Sequence, residues 1–204
     1  MNKNLLKRIV LTSAIAVLGV STSFAALVME RDQSVDTAPS VGMYRFEVPV
    51  ELQGTYNSAG VANLTASMEK EPNTLSMNVA HVKGNPSESY VVEIYKDLAA
   101  IETHRKSDHY QAFVNEVGSK LTNRKMYDVQ SVLLFEKKDA LSIVNDGKAV
   151  VTLTEFTVDS NEIDTVQRQY QLDMERAVRD DVGYKAGYVL RERNAKNRWY
   201  IIQI

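Results

Sequence analysis

The chain has 204 residues, with 24 lysines and arginines, 26 aspartates and glutamates, no cysteine and a formal net charge of −2. This balance supplies no basic stripe that could neutralise phosphates, which argues against a nucleic-acid binder. The lack of cysteine excludes thiol nucleophiles, iron–sulfur clusters and cysteine-type zinc sites.

The N-terminus has the pattern of an export signal. Basic residues precede an apolar run, and small residues follow at the positions used for cleavage: Lys3, Lys7 and Arg8, then residues 9–20, then Ser23 and Ala25. The run is too short to span a bilayer of roughly 30 Å. We expect residues 1–25 to be a signal peptide cut after Ala25. The product would be a periplasmic or secreted protein that no longer associates with the membrane.

The next part of the chain predicts one complete α+β unit. Residues 26–42 lack apolar periodicity and are expected to form a flexible leader. The predicted elements that follow are strand 44–50, a helix from Asn57 or Ser58, strands 74–82 and 90–96, a helix from Asp97 to about Leu121, and strand 129–137. The order β-α-β-β-α-β over residues 43–137 is the ferredoxin-like arrangement.

A second and shorter unit follows the predicted linker 138–148. Residues 149–204 repeat the opening strand, the first helix and the two hairpin strands, with Ser160 as the expected helix cap. The last helix and strand of the first unit have no counterpart here. We therefore predict a partial second ferredoxin-like repeat.

Two such units suggest how the sheets are covered. A four-stranded sheet with helices on one face leaves its other face bare, and two sheets facing each other would cover both bare faces around a central space. The second sheet could come from the second repeat or from a partner chain, so a homodimer is one of the expected assemblies.

The stretch 93–113 carries a pattern that is specific for one fold family. A strand ends in Glu-x-aromatic, and an acid, two alanines, a histidine, Ser-x-His and an Ala-Phe pair follow: Glu93, Tyr95, Asp97, Ala99, Ala100, His104, Ser107, His109, Ala112 and Phe113. Upstream, Glu71, Pro72 and Leu75 fit an "EPG-x-L" strand entry, although Asn73 replaces the glycine and Met77 stands where an aromatic is common. The pattern over 43–137 resembles the antibiotic biosynthesis monooxygenase superfamily, including its quinol-monooxygenase-like members.

This resemblance implies a dimeric α+β barrel fold and a reaction class. Some members of the superfamily oxidise phenols, anthrones or quinols with dioxygen and use no cofactor. The substrate class implied for this chain is a small aromatic or quinol-like molecule. Haem-degrading relatives place an iron-ligating histidine at the position of Val114 in this sequence, so a haem role is not expected.

His104 is the candidate catalytic base. It lies three residues after Ile101, at the edge of the apolar helix face, from which it could reach the barrel mouth. Histidine titrates near neutral pH, which suits the removal of a phenolic proton. Asn78, Glu93 and Tyr95 are expected to line the substrate pocket, although a solvated sheet face would also explain Asn78 and Glu93. The alternative for His104 is a buried structural histidine bonded to a neighbour such as Glu93.

No metal site is predicted. On a continuous helix His109 would lie about 140° from His104, so the two should not share an ion. Ser107 could restart the helix as an N-cap, and His109 is expected to have a structural or surface role. His81 stands alone on its strand.

Two functions remain open at this point. One is an exported monooxygenase that acts without a cofactor on a phenolic or quinol compound. The other is a non-catalytic barrel that binds a small ligand or mediates assembly. A polar cavity that contains His104 would favour the first, and a cavity filled by methionine and leucine side chains would favour the second.

Overall fold

The elements of the fold follow the predicted order, with two additional strands, one at the N-terminus and one before the last strand of the first unit. The computed structural model describes residues 7–17, 39–137 and 149–204; the predicted linker and most of the predicted leader lie outside the described residues. The elements are β1 Lys7–Val17, β2 Ser40–Glu47, α1 Gln53–Lys70, β3 Thr74–Val82, β4 Asn85–Tyr95, α2 Leu98–Lys106, α3 Asp108–Glu116, β5 Thr122–Tyr127, β6 Val129–Glu136, β7 Val150–Thr157, α4 Ile163–Asp180, β8 Ala186–Glu192 and β9 Arg198–Gln203.

The first unit is ferredoxin-like, as predicted. Its antiparallel strands lie in the order β5-β2-β4-β3, and α1, α2 and α3 cover one face. The predicted start of α1 was wrong by about one turn. The helix begins at Gln53 because a 3₁₀ turn, Val50–Leu52, leads directly into it after Pro49. The side chain of Asn57 does not cap the helix and instead hydrogen-bonds His81.

The predicted single helix after Asp97 is divided at Ser107. Asp97 caps α2 as expected, since its carboxylate accepts from the backbone N–H of Ala100 at 2.8 Å. Ser107 is extended, with ψ 148°, and is both the C-cap of α2 and the N-cap of α3. Its hydroxyl donates to the carbonyl of His104 and accepts from the N–H of Tyr110. This serine therefore fixes the angle between the two helices.

The last strand predicted for the first unit belongs to the second sheet. We expected 129–137 to close the first sheet, but β5 takes that edge position beside β2. β6 then pairs with β8 of the second unit. The polypeptide passes from one sheet to the other at Asp128, the residue between these strands.

The second unit is the predicted partial repeat. Its strands lie in the order β7-β9-β8, with β6 added at the outer edge, and α4 covers one face. The predicted cap at Ser160 was wrong. Glu162 occupies the N-cap position and makes no side-chain capping bond.

The bare faces of the two sheets meet, and apolar side chains fill much of the space between them. The core there draws on both sheets and includes Met43, Val92, Leu153, Tyr188 and Ile202. Because both sheets belong to one chain, a partner is not needed to bring them face to face. The homodimer stays a prediction.

β1 joins the two sheets on the side of the molecule opposite β5 and β6. Its first residues pair with β7 and its later residues pair with β3. On the other side, among the described strands, β5 pairs only with β2 and β6 only with β8, and the chain itself connects the two strands at Asp128. β1 therefore occupies the position that a fourth strand of the second repeat would take. The signal peptide prediction covers this segment and stays a prediction. No helix within the described ranges is long and apolar enough to cross a bilayer.

Candidate functional site

The candidate site is a cavity of about 90 Å³ between the first sheet and its three helices. Its lining includes aromatic, acidic and basic side chains from β2, β4, α1, α2 and α3. We expected His104 to project into the space between the two sheets, and that location was wrong. The imidazole lies on the opposite, helix-covered face of the first sheet, because α2 packs there.

The alternation of strand β4 places two of the predicted residues in this cavity. Glu93 and Tyr95 point toward the helices, while Val92 and Ile94 point toward the second sheet. Asn78 does not belong to the cavity. Its amide donates to Ser76 at 3.1 Å, and Ser76 in turn bonds Tyr188 of the second sheet. Asn78 therefore lies between the two sheets and not in the cavity that contains His104.

His104 is held in one tautomer by Glu71. The imidazole Nδ1 lies 3.2 Å from each carboxylate oxygen of Glu71. A carboxylate only accepts, so Nδ1 carries the proton and donates it. The lone pair of the neutral ring is then on Nε2, which is buried and has no hydrogen-bond partner among the described residues. The proposed alternative partner, Glu93, is not the group that binds this imidazole.

Burial controls the charge and the orientation of this ring. His104 is 1% exposed. Desolvation lowers its pKa below the usual 6.5 and outweighs the opposing effect of the Glu71 charge. Tyr95 and Tyr110 flank the ring, with centroid distances of 5.7 and 4.8 Å. At neutral pH the ring is therefore an uncharged base in a fixed position.

Glu71 is the central residue that sequence reasoning did not assign to the site. It is the C-cap of α1, where Pro72 prevents the helix from continuing. The hydroxyl of Thr74 donates to its carboxylate at 2.6 Å, and the backbone N–H of Thr74 donates to its carbonyl at 3.0 Å. The "EPN" segment was recognised as a family feature. The signal for the role of Glu71 was the position of its carboxylate next to a proline that ends the helix.

His109 also reaches Glu71, contrary to expectation. Its Nε2 lies 2.7 Å from the Glu71 carboxylate, and its ring centroid lies 5.9 Å from that of His104. The prediction that the two histidines diverge assumed a continuous helix, and the break at Ser107 removes that assumption. Potential ligand atoms of Glu71, His104 and His109 all lie within 4.8 Å of one another.

Glu93 is the second acid of the site. Burial raises the pKa of its carboxyl group from 4.5 to about 7, although the hydrogen bond from the Tyr95 hydroxyl, at 3.0 Å, opposes the rise. Gly42 lies opposite it on β2. A Cβ there would lie 2.9 Å from the hydroxyl of Tyr44 and 3.2 Å from the Glu93 carboxylate, so the glycine makes room for both groups.

The sequence did not single out five further polar residues of the lining, which are Tyr44, Tyr56, Asn63, Arg105 and Tyr110. Burial raises the pKa of Tyr44 to about 12, and Arg105 hydrogen-bonds its hydroxyl. The Oδ1 atom of Asn63 is buried and has no hydrogen-bond partner within residues 7–17, 39–137 and 149–204. Asn63 is buried on α1 together with Leu64, so a polar side chain on a buried helix face was the available signal.

Comparison with known proteins agrees with this placement. Residues 41–116 match the family described as antibiotic biosynthesis monooxygenase. Residues 41–116 therefore form a domain of that superfamily. The match spans β2 to α3, which supply the residues of the cavity lining and of the Glu71 cluster.

Two crystal structures resemble both units of the chain. One is a protein from Lactobacillus acidophilus, provisionally described as a monooxygenase, with 17% identity, a TM-score of 0.74, and coverage of 81% of this chain and 76% of that chain. The other, from Fusobacterium nucleatum, has the same provisional description, with 22% identity, a TM-score of 0.65, and coverage of 82% and 75%. At these identities the likeness shows the fold. No curated protein matches the chain.

Proposed function

We propose that the antibiotic biosynthesis monooxygenase domain oxidises a phenolic or quinol-type small molecule with dioxygen, without a cofactor. The observation that carries this proposal is the unpartnered Nε2 of His104, with its lone pair fixed by the Glu71 contact in a cavity lined by aromatic side chains. A neutral imidazole that is held in one tautomer by a carboxylate is the arrangement that general-base catalysis requires.

The first step is transfer of the substrate's hydroxyl proton to Nε2. The imidazolium that forms lies 3.2 Å from the Glu71 carboxylate, which stabilises the new positive charge. Because burial lowers the pKa of His104, the base form persists below pH 6.5, and we expect the acid limb of the pH–rate profile there.

The polar groups of the cavity also match those of a hydroxylated aromatic ring. Nε2 of His104 and Oδ1 of Asn63 are both acceptors that lack a partner, and Tyr44, Tyr56 and Tyr95 supply aromatic surface. A ring that donates two hydrogen bonds would satisfy both acceptors. Hydroquinones and dihydroxylated aromatics have this donor pattern.

The second step uses the electrons of the substrate anion. For an anthrone-type methylene carbon the reaction balances as SH₂ + O₂ → S=O + H₂O, with all four electrons supplied by the substrate. One oxygen atom is inserted into the substrate and the other leaves as water. The protein's contribution is to remove the proton and to keep bulk water from the reactive anion.

The size of the cavity favours a second candidate function. An engineered protein cavity that binds benzene has a volume of about 150 Å³, and this one measures about 90 Å³. A phenolic ring therefore requires some lining side chains to move. If they do not move, the domain is a barrel that binds a smaller ligand without oxidising it.

Oxygen consumption with a panel of hydroquinones and anthrones tests the enzymatic proposal. We expect uptake by the wild type and a decrease of about 10²- to 10⁴-fold in His104→Ala, the range for loss of a general base. His81→Ala is the matched control, because His81 is also buried but does not line the cavity. The absence of uptake by the wild type on every compound would favour the ligand-binding alternative. Equal uptake by His104→Ala would exclude His104 as the base.

We also propose that the protein is exported, on the strength of its basic, apolar and small-residue N-terminal pattern. Export after cleavage would remove β1 from the sheet. The intact mass of protein purified from its native cells tests this: a chain that starts at Ala26 supports export, and a chain that retains residues 7–17 contradicts it.

A further inference from the structure

A cluster beside the cavity contains two imidazoles and one carboxylate. Nδ1 of His104 and Nε2 of His109 lie 3.2 and 2.7 Å from the same oxygen of Glu71. Glu71 and His104 are buried, and the side chain of His109 is 15% exposed. Glutamate is seldom buried unless it is paired, and here two imidazoles converge on one buried carboxylate.

The local backbone holds these three groups together. Pro72 ends α1 at Glu71, and Ser107 turns α3 so that His109 faces back toward His104. The hydroxyl groups of Ser67 and Ser107 lie 3.3 and 3.0 Å from the two nitrogen atoms, and Thr74 orients the carboxylate. The Thr74 bond is the kind of outer contact that orients a metal ligand. The two serine hydroxyl groups contact the ligating nitrogen atoms themselves and give way when an ion binds.

The distances are close to those of a coordination site. Imidazole nitrogen and carboxylate oxygen atoms bind first-row divalent ions at about 2.0–2.2 Å, which places neighbouring ligand atoms about 3.0–3.5 Å apart. The two nitrogen atoms lie 2.7 and 3.2 Å from the shared oxygen, and the ligand atoms of all three residues lie within 4.8 Å of one another, so a bound ion would draw the two imidazoles closer together.

We propose that Glu71, His104 and His109 bind a divalent first-row transition-metal ion of the zinc class. Binding through Nδ1 of His104 displaces the proton from that nitrogen and places it on Nε2. Nε2 then donates a hydrogen bond into the cavity and accepts none. The metal ion is therefore an inhibitor of the base, and this second consequence rests on the proposed function, whereas the binding itself does not.

Calorimetric titration of chelator-treated protein with Zn²⁺ tests the binding. We expect one equivalent to bind to the wild type and to His81→Ala, and the affinity of His109→Ala to fall at least about tenfold through the loss of one ligand. Co²⁺ absorption bands give a second readout that requires no activity. The absence of stoichiometric binding by the wild type, or equal binding by His109→Ala, would overturn the proposal.

Nitrogen-15 NMR of the imidazoles tests the change of tautomer separately from activity. Nε2 of His104 should have the chemical shift of an unprotonated nitrogen in the metal-free protein and of a protonated nitrogen with Zn²⁺. An unprotonated Nε2 in the zinc-loaded protein would contradict the inhibitory role while leaving metal binding intact. If no substrate supports oxygen uptake, the proposed function fails and these two measurements still decide the metal site.

Discussion

Each of the two sheets is covered by helices on one face, but the side chains buried under those helices differ. The first face, under α1, α2 and α3, contains buried Asn63, Glu71 and His104 around a cavity. The second face, under α4, is packed with apolar side chains that include Phe156, Met174 and Trp199. Both faces belong to ferredoxin-like units, so the layer arrangement does not determine where chemistry is placed.

The difference arises from a few local features of the first unit. A proline ends α1 at an acid, a serine divides the second helical region, and β4 turns Glu93 toward the helices. The described part of the second unit has no matching group of converging acids and histidines. We therefore expect substitutions in the second face to affect stability and substitutions in the first face to affect binding and reactivity.

The largest effect on stability is expected for Trp199→Ala. The indole is fully buried, and its N–H donates to the carbonyl of Lys196 at 3.0 Å. Truncation leaves a large void, and such changes reduce the free energy of unfolding by about 3–5 kcal/mol. Urea denaturation measures this. A loss below about 1 kcal/mol, the average for substitutions of any kind, would mean that the second face is not the rigid core described here.

A pH-dependent effect is expected for Glu93→Gln. The carboxyl pKa is 4.5 in the unfolded reference and about 7 in the folded protein, so folding retains a proton that the unfolded chain releases. Wild-type stability should therefore fall, relative to the variant, as the pH rises from 4.5 to 7 and then remain constant, with a total of up to about 3 kcal/mol. Parallel stability curves for the two proteins would show that Glu93 is not desolvated.

The fold was largely readable from the sequence, whereas the site was readable only in part. Alternation and helical spacing identified the strands and helices of both units, and the 93–113 pattern identified the superfamily. The residue types of His104, Glu93 and Tyr95 indicated the cavity. Their common location on the helix side of the sheet depends on packing between distant segments, which spacing along the chain does not report.

Three errors have different physical origins. The separation of His104 and His109 was predicted from an ideal helix, and a single capping serine changed it. The face of Asn78 depends on the register of β3, because a shift of one residue exchanges the two faces of a strand. The role of Glu71 was missed because its partners lie 33 and 38 residues later.

A smaller effect separates two glycines of α1. A Cβ at Gly54 or at Gly60 meets no atom within 4 Å, but only Gly60 lines the cavity. Replacing either with alanine should increase the free energy of unfolding by about 0.5–1 kcal/mol through helix propensity. Gly60→Ala alone should also weaken binding of a phenolic ligand, because its methyl group occupies cavity volume. Equal ligand affinity in the two variants would contradict the assignment of the cavity as the binding site.

The smallest effect is expected for Asn78→Ala. Its side chain lies between the sheets, away from the cavity. Oxygen uptake should stay within about twofold of the wild type, since substitutions outside a site leave its transition-state contacts intact. A larger decrease would indicate that the reaction takes place between the sheets.

The central claim is that His104 accepts a proton from a hydroxylated ring in the first face. Absorption spectroscopy of bound 4-nitrophenol tests it most directly, because the phenolate and the phenol have separate bands. At a pH where the free ligand is mostly neutral, the wild type should bind a larger fraction of it as the phenolate than His104→Ala does, because the imidazolium and Glu71 stabilise the anion. The same spectrum in both proteins would contradict the claim.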